Sequence, residues 1–388
     1  MNKLRDKYQV CIIGGGPVGL FLAIALRQRD IDCVVLEKRT EPTTHSRSLG
    51  IHPVSLELMQ EIGLADDFIQ RGIKITEGVA WGDNKKIGTL SFENCPGPYP
   101  FVLSLPQYKT ERLLEDKLYE IDPGCLSRGI ELVDLEETES SVNLTLSNKK
   151  KTKKVNCDLL IGSDGKNSFV RKAAGFEFLG RRYPDTYVMG DFSDNTDLGS
   201  TAAIFLHSAG LIESFPLGTN RRRWVIKTDN FRNDLDRAVL ERLVRKRVGH
   251  ELQDTENFML SSFGVQGFVA TPMARNRIFL AGDSAHIVSP IGGQGMNLGW
   301  LDAWEIVQHS EKILRDKAEV SYQANLYNKE RSKTAKKALK RAEVNMLLGR
   351  KTRFPYPKNG LVWLMLNTPL ERLMARIFTM RGLQSWPF

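Results

Sequence analysis

The sequence predicts an α/β protein with three parts: a Rossmann-like dinucleotide-binding domain, an interleaved β-rich second domain and a helical C-terminus. Three observations carry that prediction. Tyr8–Glu37 (YQVCIIGGGPVGLFLAIALRQRDIDCVVLE) reads as strand, glycine turn, helix and strand. Two apolar runs far downstream, Val155–Ile161 and Arg277–Gly282, also finish at glycine and aspartate. Short aromatic-bearing runs fill the stretch between them, and helical periodicity dominates from Tyr322 to the end.

Val10–Cys11–Ile12–Ile13 is apolar on both faces, as a buried parallel strand must be. Gly14, Gly16 and Gly19 follow in G-x-G-x-x-G spacing. The first allows a tight turn, the second lets a pyrophosphate reach the backbone, and the third lets the helix lie close to the strand. The free N–H groups and positive dipole end of the predicted helix Val18–Arg29, with Pro17 at its start, then face that pyrophosphate. Cys33–Leu36 is the second strand, ending at Glu37, eighteen residues after Gly19. An acid there accepts from both ribose hydroxyls of an adenosine and disfavours a 2′-phosphate.

A polar loop, Lys38–Ser46, leads to Arg47 and a helical pattern through Leu56, Met59 and Ile62 that Gly63 closes. Residues 73–105 alternate in short runs broken by turn signals, the start of a second sheet. Gln107 precedes an amphipathic helix with Leu113, Leu114 and Leu118 inward. Ile130–Leu135 and Val142–Leu146 form a hairpin-like pair, Lys149–Lys154 a solvated turn, and Val155–Ile161 a return to the nucleotide domain. Strands resume from Tyr187 to Phe268, interrupted by a helix over Asp234–Val248; this is the natural place for a small-molecule pocket. Asp283 ends the strand Arg277–Gly282, and the turn PIGGQGMN opens a helix over Leu298–Leu314. The expected domains are 1–72 with 106–176 and 270–320 for the nucleotide, 73–105 with 177–269 for the substrate, and 321–388 as a helical C-terminal region.

At 388 residues the chain buries a large core, and 41% hydrophobic with 26% charged residues is ordinary for a soluble protein. Five dispersed cysteines without a C-x-x-C argue for a reducing compartment and against a metal site. MNKLRDKYQV runs straight into the first strand and no apolar run reaches about 18–20 residues, so a cytoplasmic chain without a signal peptide is expected. Net charge is +9, concentrated in Lys329–Arg341 with seven Lys/Arg against one acid. That stretch reads as a solvated helix face. It lacks the interleaved aromatics of a nucleic-acid surface, so no nucleic-acid partner is expected, and an anionic substrate or membrane surface suits it better.

The three turns must converge on one ligand, and there the chain resembles the single-component FAD monooxygenases of the para-hydroxybenzoate hydroxylase type. Asp158-Leu-Leu-Ile-Gly162-Ser-Asp164-Gly165-Lys-Asn-Ser168-Phe-Val-Arg171 is similar to that family's DG motif. Gly282-Asp283-Ser-Ala-His286-Ile-Val-Ser-Pro290-Ile-Gly292-Gly293-Gln294-Gly295-Met296-Asn297 is similar to its GD motif. The resemblance covers most of residues 8–310 and implies a glutathione-reductase-type FAD-binding domain. Its cofactor contacts would be Gly14, Gly16, Pro17, Val18, Gly19, Glu37, Lys38, Arg47, Gln107, Asp164, Gly165, Gly282, Asp283, Pro290 and Gly293 to Asn297, the last five including Gln294, Gly295 and Met296. Independently of the family, Asp283 can accept from a ribityl hydroxyl, and the N–H groups of Gly292–Asn297 can stabilise charge at the flavin pyrimidine edge.

The implied function is hydroxylation of a phenolic, quinol or polyketide-like ring by NADPH or NADH and O2 through a flavin C4a-hydroperoxide. The nicotinamide is a transient co-substrate, since no second G-x-G-x-x-G occurs. Pro290, beside the ring, and His52, in GIHP, are the candidate catalytic positions. Tyr183, Tyr187, His207 and Arg223 are candidates for the substrate. A monomer or homodimer fits. The C-terminal stretch, with no thioredoxin-like domain after it, suits a pocket cap, a dimer contact or a peripheral membrane contact. An oxidase, a reductase, a halogenase of the same fold or a non-catalytic flavin-binding partner are the alternatives. The halogenase segment W-x-W-x-I-P has only a wrongly spaced match at Trp300–Trp304.

Overall fold

Val10, Cys11 and Ile12 are fully buried: strands flank them on both sides, and the helix that follows, Pro17–Arg27, packs on their sheet. In the computed structural model, which describes residues 4–43, 48–83, 85–218, 220–233, 235–253 and 259–384, the strand Lys7–Ile13 runs through the middle of an eight-stranded sheet. Thr152–Gly162 and Cys33–Glu37 lie on either side of it, both parallel. Ile278–Leu280 and Leu126–Arg128 extend the parallel set outward. Glu131–Glu137 and Val142–Ser147 form an antiparallel hairpin that joins the first half of Thr152–Gly162.

The register of this sheet positions everything that follows. Ile13 stands opposite both Gly162 and Leu36, and Gly162 stands opposite Leu280. Four parallel strands therefore end in one row. The chain leaves that carboxyl edge at Gly14, Glu37, Ser163-Asp164 and Gly282-Asp283, so groups far apart in sequence emerge side by side, where ligands of open α/β sheets bind. Backbone bonds pin the row: Gly14 N donates to Leu36 O at 2.9 Å, Ser163 N to Ile13 O at 2.8 Å and Ala281 N to Gly162 O at 2.9 Å.

A second eight-stranded sheet runs in the order His286–Ile287, Leu260–Thr271, Glu177–Ser193, Arg221–Thr228, Ile212–Leu217, Ala202–Phe205, Glu77–Trp81 and Lys86–Ser91. His286–Ile287 follows the Gly282–Ser284 turn directly and pairs with Phe268 and Val269. One end of the second sheet is thus fastened to the carboxyl edge of the first. Gly50–Ile51, Val102–Ser104 and Ile73–Ile75 form a three-stranded sheet.

Pro17–Arg27 starts on a proline, which has no N–H to leave unpaired, and buries Val18 through Leu26. It packs on Gln107–Ile121 and Gln294–Leu314. The C-terminal helices are Val320–Gly349, Pro355–Leu366 and Leu370–Phe378.

The structure departs from the sequence-based expectation at several places, among them the Lys149–Lys154 turn, whose second half is already strand. The helix expected at Leu298 begins at Gln294, because Gly293 takes the left-handed conformation (φ 65°) and turns the chain into the helix at once. The strand expected from Tyr187 begins ten residues earlier at Glu177; an irregularity between Arg182 and Thr186 and its exposed Arg-rich half disguise it. The helix expected over Asp234–Val248 runs Arg237–Val248, capped by the Asp236 side chain on Val239 N at 2.9 Å. In the basic helix, Arg331 is not solvated but buried, its Nε donating to Asp302 at 2.8 Å. All five cysteines are buried free thiols.

Candidate functional site

One cavity of about 1060 Å³ runs from the Gly14 turn along the carboxyl edge of the first sheet and into the second. Gly14, Gly16, Pro17, Val18, Glu37, Lys38, Gln107, Asp164, Gly165, Gly282, Asp283, Pro290, Gly293, Gly295 and Met296 all line it, as does His52. Gly19, Gln294 and Asn297 do not reach the lining, and Arg47 lies outside the described residues.

Backbone geometry makes the nucleotide end. Gly14 has φ 109°, and a Cβ there would lie 2.4 Å from Ser163 O. A Cβ on Gly19 would lie 2.0 Å from Gly14 O, so the third glycine serves the close packing of helix on turn. On Gly16 it would meet no protein atom within 4 Å. That opening is where a pyrophosphate can approach the backbone. Glu37 Oε2 accepts from Gly15 N at 2.7 Å, and Oε1 accepts from Arg39 N at 2.8 Å and Arg39 Nε at 3.1 Å. Burial pushes the Glu37 carboxyl up, but the Arg39 side chain and the Arg39 and Gly15 amides outweigh it and hold the group below its ordinary value. It is an anion at neutral pH, fit to accept from a ribose.

The middle of the cavity is where unpartnered polar atoms gather. Asp164 Oδ2 caps the next helix at Phe169 N (2.7 Å) and Val170 N (3.1 Å), while its Oδ1 is buried without a partner. The Asp283 carboxylate has no hydrogen-bond partner among the described residues and opens onto the cavity. Protein on its other sides raises its carboxyl, against the pull of His286 and Lys166. His52 Nε2 donates to Gly292 O at 3.1 Å, which leaves its Nδ1 a buried acceptor with no partner. Burial drives the His52 pKa down to about 4, so the ring is neutral. Asn297 accepts from His52 N at 2.8 Å and donates to Gly50 O and Gly293 O at 2.8 Å. It fastens the His52 segment to the helix start.

These features fit an extended dinucleotide bearing a flavin. Gly16 is open to a pyrophosphate, Glu37 and Asp283 offer acceptors for ribose and ribityl hydroxyls, and the backbone of Gly292–Met296 faces the end of the run. Behind that run stands a buried cluster with no sequence motif to announce it. Asp302 Oδ2 accepts from Gly282 N at 3.0 Å and His286 Nε2 at 2.5 Å, and Oδ1 accepts from Arg331 Nε. It holds the Asp283 turn in place.

Beyond Pro290 the lining turns apolar: Met189, Ile204, Leu206, Val225 and Phe263 from the second sheet, and Leu348, Val362 and Leu366 from the C-terminal helices. Of the four suggested substrate residues only Arg223 lines this chamber, and its guanidinium is clamped on Asp191 at 2.7 and 2.9 Å. Tyr187 stacks on Phe263 from behind, Tyr183 donates to Glu343 at 2.6 Å, and His207 accepts from Ala209 N at 2.9 Å. Arg39, Glu213, Arg341 and Asn345 line the cavity and were not anticipated. For Glu213 a signal existed: a lone acid inside the apolar strand IESFPL.

The profile described as "FAD binding domain" matches residues 7–342. The 6-methylpretetramide 4-monooxygenase of Streptomyces rimosus is 30% identical over 320 residues, 81% of this chain and 57% of that protein. A rifampicin monooxygenase of Streptomyces venezuelae is 32% identical over 306 residues, 77% of this chain and 63% of that one. The chain thus spans about three-fifths of the length of these curated relatives. The structure of p-nitrophenol 4-monooxygenase PnpA from Pseudomonas putida superimposes with a TM-score of 0.87 at 21% identity, covering 97% of this chain and 99% of that one, a likeness of fold. The matched region takes in every turn around the cavity, and the chain belongs to the FAD binding domain family.

Proposed function

We propose that this protein is an FAD-dependent monooxygenase that hydroxylates a phenolic, quinol or polyketide-like aromatic ring with NADPH or NADH and O2. The observation that carries the reading is the continuity of one cavity, from the glycine turn that suits a dinucleotide to an apolar chamber that suits a ring. The 6-methylpretetramide and rifampicin monooxygenases, relatives at 30% and 32% identity, support it.

FAD, when bound, supplies the electron transfer and the activation of O2. The chain's own residues do the rest. Gly14, Gly16 and the start of Pro17–Arg27 would hold the pyrophosphate, Glu37 the adenosine ribose, and Asp283 the ribityl chain. Asp164 and Gly165 line the cavity beside them, and Gly293, Gly295 and Met296, at a helix N-terminus that favours negative charge, would hold the pyrimidine edge. Neutral His52 and the Pro290 segment border the junction with the chamber. Apolar side chains from the second sheet and the C-terminal helices exclude water from the reacting ring. By this reading, residues 1–72, 106–176 and 270–320 form the cofactor domain, 73–105 and 177–269 the substrate domain, and 321–388 the helical cap.

A cytoplasmic enzyme, monomeric or homodimeric, suits five free thiols. No helix among the described residues is long and apolar enough to cross a membrane. The cap nevertheless exposes Phe354, Tyr356 and Trp363 beside Lys351 and Arg353, a composition that suits peripheral contact with an anionic bilayer.

The decisive test is turnover under ¹⁸O2 with a panel of phenols and polycyclic quinols, scored first by stimulated NADPH or NADH oxidation. Label in the product is expected. NAD(P)H oxidation with unlabelled product points to the oxidase or reductase reading instead.

A further inference from the structure

Most charged groups around the chamber are already matched. Asp191 holds Arg223 by two hydrogen bonds. Asp185 holds Lys227 at 3.1 Å and Arg350 at 2.6 Å. Glu213 differs. It sits in the middle of Ile212–Leu217, facing Val225 and Ile204 across the neighbouring strands. It is 5% exposed, lines the cavity, and has no hydrogen-bond or ion-pair partner among the described residues. Its oxygens are open to the cavity itself. An acid in an apolar wall with nothing to satisfy it from the protein side is placed for a polar group brought by a ligand.

Resting on the monooxygenase reading, we propose that Glu213 receives the hydroxyl proton of the aromatic substrate, and that the chain thereby selects rings carrying a free hydroxyl over the corresponding ethers. In this step the substrate O–H bond breaks and its proton moves to a Glu213 carboxylate oxygen. The electron pair stays on the substrate oxygen and enriches the ortho and para carbons of the ring. Glu213 is neither oxidised nor reduced, and its proton passes to solvent when the product leaves. The substrate class that follows is an aromatic body large enough to fill the apolar chamber, with a hydroxyl directed at this strand.

Burial, with no charge close enough to oppose it, lifts the Glu213 pKa to about 8. A base poised near the working pH is the efficient kind. The titratable and charged groups around it are Tyr187 and Asp185 on Glu177–Ser193, Arg223 and Lys227 on Arg221–Thr228, and Arg350 and Arg341 from the C-terminal helices. The Tyr187 hydroxyl is buried without a partner and is itself pushed up by burial and by Glu213, so it competes poorly as the base.

The test uses flavin-loaded wild type, Glu213→Gln and Glu213→Asp with hydroquinone, 4-cresol and 2-naphthol, phenols that still carry their proton at the working pH, each beside its methyl ether. For Glu213→Gln, kcat on the free phenols should fall by about 10²–10⁴-fold, the range of a general base. The wild-type rise of kcat/KM near pH 8 should vanish with it. Glu213→Asp should recover part of the rate, and the preference for phenol over ether should collapse in the Gln variant. Infrared difference spectra of wild type against Glu213→Gln, without substrate, should show a protonated carboxyl that titrates near pH 8. A Gln variant that hydroxylates phenols within about 3-fold of wild type overturns the role of Glu213 and leaves the monooxygenase intact. A flavin-loaded wild type that incorporates no label with any phenol sinks the monooxygenase reading, and the Glu213 step with it.

Discussion

The two ends of the cavity are built from different materials. At the nucleotide end the wall is largely backbone: glycines where a Cβ would collide or would fill the ligand's space, strand ends in one register, and amides at helix starts. At the chamber end it is side chain, drawn from Glu77–Trp81, Ala202–Phe205, Ile212–Leu217, Arg221–Thr228 and the C-terminal helices. A backbone wall tolerates little change and recognises a ligand that does not change. A side-chain wall can be rebuilt residue by residue without disturbing the frame, which is how one fold serves many substrates.

The sharpest way to break this contrast is to damage the frame from a residue that touches no ligand. Asp302 is fully buried and holds Gly282, His286 and Arg331 at once. Asp302→Ala leaves the Arg331 guanidinium without its counter-charge, and removing one partner of such a group costs about 3–5 kcal/mol. Urea unfolding should show that loss, with flavin released early in the transition. Burial alone raises the Asp302 carboxyl, but His286 and Arg331 reverse this and leave it below its ordinary value. Its contribution is therefore full above the unfolded value of about 3.9 and is lost as pH falls through the folded one. The variant should lose the steepest part of the wild type's acid unfolding.

The chamber predicts the opposite sign. The unfolded chain gives up the Glu213 proton near pH 4.3, the folded one near 8. Between those values the unfolded state holds fewer protons, so stability falls as pH rises. Glu213→Leu removes that penalty and should raise stability on the order of 3 kcal/mol at pH 7, with the gain fading toward pH 4. A melting series against pH measures it. No gain at pH 7 would mean that the group is paired or well solvated in the folded protein.

The same difference in materials explains what the sequence could disclose. The Gly14 turn, Glu37, Asp164 and Asp283 are legible as groups that meet at one cavity, because spacing along the chain encodes backbone shape. The parallel strands were legible as apolar runs bounded by glycine. Arg341 and Asn345 were not, because nothing local says which helix side closes over a cavity formed by distant elements, and the lone acid in IESFPL singles out Glu213 without saying what it faces. The first half of Glu177–Ser193 stayed hidden since its exposed arginines and Pro184 erase the alternation that marks a strand. Arg331 was misread as solvated because a buried arginine and a surface one look alike until their partner, here Asp302, is found.

A finer test separates the two jobs that glycines perform within the frame. Gly16 faces open space, so Gly16→Val should leave unfolding within about 0.5 kcal/mol of wild type while weakening FAD about 10–100-fold, a loss of about 1.4–2.7 kcal/mol. Flavin fluorescence on dilution reads the affinity. Gly19→Val, aimed at the Gly14 carbonyl, should lose stability and flavin together. Equal behaviour of the two variants would erase the distinction between a ligand-facing and a packing glycine.

The smallest expected effect lies on the outer face of the cap. Pro355–Leu366 turns Val362 and Leu366 to the chamber and leaves Trp363, 53% exposed, and Leu364, 46% exposed, on the other side. Lys351 and Arg353 are exposed beside this face and residues 344–370 hold no acid, so two copies of it would repel each other where an anionic lipid surface would attract it. Trp363→Ser should move unfolding by no more than about 0.5 kcal/mol and leave turnover of a water-soluble phenol unchanged. It should weaken co-sedimentation with phosphatidylglycerol-containing vesicles, and added salt should do the same to the wild type. If the wild type ignores such vesicles but shows a concentration-dependent dimer that Trp363→Ser abolishes, the outer face is a protein interface, and the chamber below it opens toward a second copy rather than toward lipid.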